Sequence, residues 1–176
     1  MAGCYRQVVK AKSVSARYNE PPKSYMSWNN DVCLDVVIEK QSKDGSSYDY
    51  TFTISGNYKK DNPKNPWGSA FKVAKFFEAV GVNTKDLNGD MTIPDAWFDQ
   101  AVGKEFSYIT YPSDRLRDNG KPYWNDFDIV ASVAAGQDAH KAEFDKQVND
   151  GWIKVYEEPT EEPSADSSDV SDDMDL

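Results

Sequence analysis

The sequence predicts a mainly β domain with helices, a small five-stranded Greek-key barrel, and three observations carry that expectation. Strand-like alternation recurs early and late in the chain, a helical stretch separates the third run from the fourth, and tight-turn residues divide neighbouring runs. In the first run, CYRQVVKAKSV, Arg6, Val8, Lys10 and Lys12 fall on one face and Tyr5, Val9 and Ala11 on the other. After a Pro-Pro break, DVCLDVVIEK sets Val32, Leu34, Val36 and Ile38 on one side. Asp44-Gly45 marks a hairpin turn, because glycine accepts the positive φ such turns require. YDYTFTIS follows, with Tyr48, Tyr50, Phe52 and Ile54 alternating against Asp49, Thr51, Thr53 and Ser55.

The loop GNYKKDNPKNPWG leads into SAFKVAKFFEAVG, where Ala70, Val73, Phe77 and Val80 recur at helical spacing and Gly81 suits the helix end. A shorter helix is expected over PDAWFDQAV, then two strands, KEFSYITY and KPYWNDFDIVAS, joined by PSDRLRDNG. In the last strand Tyr123, Phe127 and Ile129 take the inward positions and Trp124 points outward. DAHKAEFDKQVNDG reads as a final helix ending at Gly151. A helix between strands 3 and 4 fits an OB-type barrel, whose sheet face and loops bind single strands. Most of Tyr48, Tyr50, Phe52, Phe71, Phe77, Phe106 and Phe127 are expected in its core.

Charge divides the chain into a domain over residues 1–156 and an acidic C-terminal tail over 157–176. The net charge is -10, yet nine of the 30 acids lie in the tail with no base among them. The remaining 21 acids face 20 bases, so the body is nearly neutral. Two segments are basic: Arg6, Lys10, Lys12, Arg17 and Lys23 against Glu20, and Lys59, Lys60, Lys64, Lys72 and Lys75 against Asp61. The tail has too few apolar groups to offset its ordering entropy and is expected to be disordered.

No apolar run approaches the about 20 residues of a membrane span, and the N-terminus lacks a signal-peptide core, so a cytoplasmic location is expected and no membrane partner. Cys4 and Cys33 lack metal-ligand spacing and are expected as reduced thiols. No cofactor, metal or enzymatic motif is expected. DLNGDM opens like a calcium loop at Asp86, Asn88 and Asp90, but Met91 stands where the turn glycine belongs and Trp97 where the bidentate Glu is needed.

A single-strand binder needs cations that track phosphates and aromatics on which bases stack. Three stretches supply both: KSYMSW with Tyr25 and Trp28, YKKDNPKNPW with Tyr58, Lys59, Lys60, Lys64 and Trp67, and YPSDRLRDNGKPYW with Tyr111, Arg115, Arg117, Lys121 and Trp124. Arg6, Lys10 and Lys12 add a basic strand face.

By NPWGSAFKVAKFFEAVGV, IPDAWFDQAVGKEFSYITY and NGKPYWNDFDIV, residues 30 to 132 resemble phage-encoded single-stranded DNA-binding proteins of OB-fold type. The resemblance rests on Ala79-Val80-Gly81, Gly103-Lys104 and Gly120-Lys121-Pro122-Tyr123. It implies a protein that coats single-stranded DNA during replication or recombination, in the cytoplasm of an infected bacterial host if phage-encoded. The tail is similar in type to the acidic C-terminus of bacterial single-stranded DNA-binding proteins, which implies a tip, Asp172, Asp173, Met174, Asp175 and Leu176, that docks on replication or recombination proteins; the lack of Lys and Arg after Lys154 and the neutral body add the expectation that the tail competes with DNA. This tip lacks the bacterial terminal Ile-Pro-Phe. Homo-oligomerisation is left open. The rival expectation is an acidic inhibitor that mimics DNA, for which Asp86, Asp90, Asp95 and Asp99, and Asp126 and Asp128, would supply carboxylates.

Overall fold

A computed structural model describes residues 3–19, 30–85, 87–136 and 140–158. The run predicted as one first strand is two, β1 (Tyr5–Lys10) and β2 (Ser13–Tyr18), with a corner at Ala11 and Lys12. Ala11 is fully buried; its N–H donates to the Lys104 carbonyl at 2.9 Å and its carbonyl accepts from Gly103 at 2.7 Å. One residue on, the Lys12 N–H donates to Val37 at 2.8 Å instead. The chain thus changes hydrogen-bond partner within two residues, and the inward alternation shifts by one residue there, from Val9 and Ala11 before the corner to Val14 and Ala16 after it.

Beyond the corner come β3 (Val32–Gln41), β4 (Ser47–Gly56), α1 (Phe71–Ala79), α2 (Asp95–Ala101), β5 (Glu105–Leu116), β6 (Pro122–Asp126) and α3 (Lys141–Asn149). The strands form two antiparallel three-stranded sheets, ordered β1-β5-β6 and β2-β3-β4. The molecule is therefore mainly β with helices, and among the described residues no closed barrel forms. No helix among them is long and apolar enough to cross a membrane. Cys4 and Cys33 are not joined in a disulfide.

The main core lies between the sheets. Val32, Leu34, Val36 and Ile38 are all fully buried, the face that alternation assigns them. Phe52 of β4 meets Tyr108 and Phe106 of β5 at ring-centroid distances of 4.8 and 6.0 Å, joining the sheets through aromatic contact. α1 closes one end with Val73, Ala74, Phe76 and Phe77, helped by Trp97 and Ala101 of α2. Gly56 permits this docking, since a Cβ there would stand 2.4 Å from the Ser69 carbonyl oxygen. A second core covers the opposite face of β5, where Phe144 of α3 packs edge-on to Tyr111 and Phe127 at 5.3 and 5.2 Å.

Two expectations about β4 and β6 need correction. Tyr48 and Tyr50 share the inward face with Phe52 but are exposed, because β4 runs on past the end of the core. Tyr123 is exposed as well as Trp124, because a bulge interrupts the alternation of the hairpin that carries them.

Candidate nucleic-acid interface

At the end of the sheets away from α1, the inward faces of both sheets emerge into solvent and carry aromatic rings. Tyr5 of β1 and Trp124 of β6 reach over the intervening β5 until their rings are 5.6 Å apart, tilted by 57°. They are 51% and 48% exposed, so neither ring is spent on the core. Tyr50 lies on the other sheet, with the Lys40 ammonium 3.8 Å from its ring centroid. Lys40 donates to Asp126 at 2.9 Å, and Thr110 donates to the second carboxylate oxygen at 3.2 Å. The Tyr50 hydroxyl is pushed up mainly by burial and then by the Asp126 charge. The floor between the rings is thus a charge-compensated Lys40–Asp126 pair, hydrogen-bonded also to Thr110.

The adjoining hairpin supplies cations. Between Pro112 opposite Trp124 and Leu116 opposite Pro122, β5 carries more residues than β6, and the resulting bulge re-aims its side chains. The Arg115 and Arg117 guanidinium carbons stand 4.6 and 5.0 Å from the Tyr123 ring centroid. The turn is closed by the Gly120 N–H on the Arg117 carbonyl at 2.9 Å, with Gly120 at φ 81°. Arg115, Arg117 and the exposed Lys121 are absent from the ion pairs among the described residues. Cations without carboxylate partners, held against aromatic rings, can take phosphates while neighbouring rings take bases.

The remaining predicted residues lie elsewhere. Lys59, Lys60 and Lys64 are exposed on the loop after Gly56, whereas the rings surround the start of β4 at Tyr48. Ten residues of extended chain separate these ends, about 30 Å at the usual strand rise. Tyr58 and Trp67 of that loop turn inward: Trp67 lies 5.8 Å from Tyr58 and stacks on the buried Trp97 at 6.3 Å. Burial raises the Tyr58 hydroxyl pKa well above the ordinary tyrosine value. Tyr111 is buried against Phe144, its hydroxyl also pushed up by burial, so it offers no platform to a base. Arg6 donates to the Val133 carbonyl at 2.8 Å on the face covered by the second core, and Lys12 is paired with Asp49 at 2.6 Å. Lys10 is exposed, opposite Glu105 in the register. Tyr25, Trp28 and the tail residues Asp172, Asp173, Met174, Asp175 and Leu176 lie outside the described residues.

Sequence reasoning did not single out Tyr5, Tyr48 and Tyr50, which it placed on an inward alternation. The available signal was strand length, since ten-residue strands overrun a core closed at one end by a nine-residue helix. No group of three metal-ligating side chains occurs among the described residues, and the Asp90 carboxylate instead accepts from the Thr92 N–H and hydroxyl. The chain matches no protein-family model and no curated protein.

Proposed function

We propose that this chain binds single-stranded DNA with little sequence preference, through the aromatic rings at the open end of its sheets and the β5–β6 hairpin. The observation that carries this reading is the exposed Tyr5–Trp124 ring pair, with Trp124 on the same short strand as Tyr123, over whose ring the two arginines stand. Stacking on rings tolerates any base, and the Lys40–Asp126 pair beneath them is engaged with itself and with Thr110. Coating DNA in replication or recombination is the setting this chemistry suits, and it needs no cofactor and no catalysis.

Supporting the OB reading, β1 and β2 counted as one bent strand give five strands with α1 between the third and fourth. On this view the barrel is left open between β4 and β6. Mimicry of DNA gains no comparable support, because two of the carboxylates it would use are neutralised, Asp126 by Lys40 and Asp128 by Lys72.

The test is a tryptophan-fluorescence titration with poly-dT and with duplex DNA at two salt concentrations. Quenching by poly-dT, weakened by salt and largely lost in Trp124→Phe, is expected. Failure of the chain, with and without residues 157–176, to bind poly-dT at low salt overturns the proposal.

A further inference from the structure

We propose that the face formed by the foot of the β5–β6 hairpin and residues 152–156 is an interface between two copies of this chain, related by a two-fold axis. Trp152 is 82% exposed, the most exposed of the large apolar side chains among the described residues. Its backbone is anchored as α3 ends, where its N–H donates to the Gln147 carbonyl at 2.9 Å and Gly151 stands at φ 83°. An indole so exposed has no role in its own core.

Immediately beside it runs a mainly apolar groove of about 1130 Å³, lined by Pro112, Trp124, Val148, Ile153 and Val155. Trp152 does not line this groove, so the face presents a knob and a hole side by side. A two-fold axis places each copy's knob in the other's hole, which is the self-complementarity an isologous contact needs. Buried tryptophans are the residues most often found to dominate such contacts.

Charge on the groove rim agrees with a second copy as the occupant. Lys121 and Lys154 line it together with Glu157 and Glu158. A two-fold contact across this rim can set Lys154 of one copy against Glu157 and Glu158 of the other. Trp124 serves both surfaces, with one side toward Tyr5 and the groove on the other. The pairing therefore sets the two ring clusters close together.

Sedimentation equilibrium of the full chain without nucleic acid tests this, and its outcome is independent of the DNA-binding reading. A concentration-dependent dimer is expected, with Trp152→Ala weakening it at least about tenfold while circular dichroism and thermal unfolding stay unchanged. Lys154→Glu should weaken it too, and Lys154→Glu combined with Glu157→Lys and Glu158→Lys should restore it. A monomer at every concentration overturns the proposal, as does a dimer indifferent to Trp152→Ala. A full chain that stays monomeric but dimerises once residues 159–176 are removed assigns the groove to the chain's own C-terminal segment, and also overturns it.

Discussion

Lys40 on β3 and Asp126 on β6 meet at 2.9 Å, a salt bridge that spans the two sheets at the end where no backbone ladder joins them. The side chains are 24% and 12% exposed, so the pair is neither solvated like a surface pair nor cut off from water. Replacing one partner leaves the other partly desolvated and without its counter-charge. Asp126→Ala is expected to lower unfolding free energy by about 1–2 kcal/mol in urea, a value between exposed and fully buried pairs. Lys40→Met with Asp126→Leu should recover most of that loss.

Aromatic substitutions should separate binding from folding. Trp124→Ala and Tyr5→Ala each remove an exposed ring and are expected to weaken poly-dT binding by about 1–3 kcal/mol with little change in stability. Trp67→Ala opens a gap against Trp97 instead. It should lower stability by roughly 2–4 kcal/mol and leave affinity per folded molecule unchanged. Paired denaturation and binding curves read both quantities.

Salt dependence distinguishes the two basic regions. Each phosphate contact contributes about 0.7 to the slope of log affinity against log salt for single strands. Arg115→Ala and Arg117→Ala should each reduce the slope by about that amount. Lys59→Ala, Lys60→Ala and Lys64→Ala, at the far end of β4, should leave it unchanged. Equal effects from both sets would mean that the strand runs the length of the molecule.

His140 sets an acid-side limit on stability. Its ring is 2% exposed, Nε2 lies 3.2 Å from the Ser107 hydroxyl, and Nδ1 has no hydrogen-bond partner among the described residues. Burial first, and the Arg6 charge second, lower its pKa from 6.5. The unfolded chain therefore binds the proton more readily, so this contribution is complete above about pH 6.5 and is lost as pH falls toward the folded-state value. Urea midpoints should drop between pH 7.5 and 5.5, and His140→Gln should flatten that part of the profile.

How much of this was legible in the sequence depended on whether the deciding contact was local. Val32, Leu34, Val36 and Ile38 could be assigned to the core from spacing alone, and so could the face of α1 that buries Val73 and Phe77. Spacing says which way a side chain points, not whether anything stands opposite. Tyr48 and Tyr50 point inward beyond the last core layer and so are exposed. Trp67 sits in a lysine-rich loop but is held by Trp97, thirty residues on, a partner that no local pattern names. The hairpin cations were legible because their grouping is set by a turn within a few residues. The separation of Lys59, Lys60 and Lys64 from them was not, since it follows from where β4 begins and ends in the assembled sheets.

The corner at Ala11 and Lys12 governs the order of assembly. Residues on its near side pair only with β5, where Tyr5 faces Thr110 and Lys10 faces Glu105, while residues beyond it pair with β3. During synthesis the second set finds its partner within about two dozen residues, whereas the partner of the first lies about a hundred residues on. The nascent chain therefore holds an unpaired β1 edge for most of translation, and premature pairing of that edge is the misfolding hazard built into this topology.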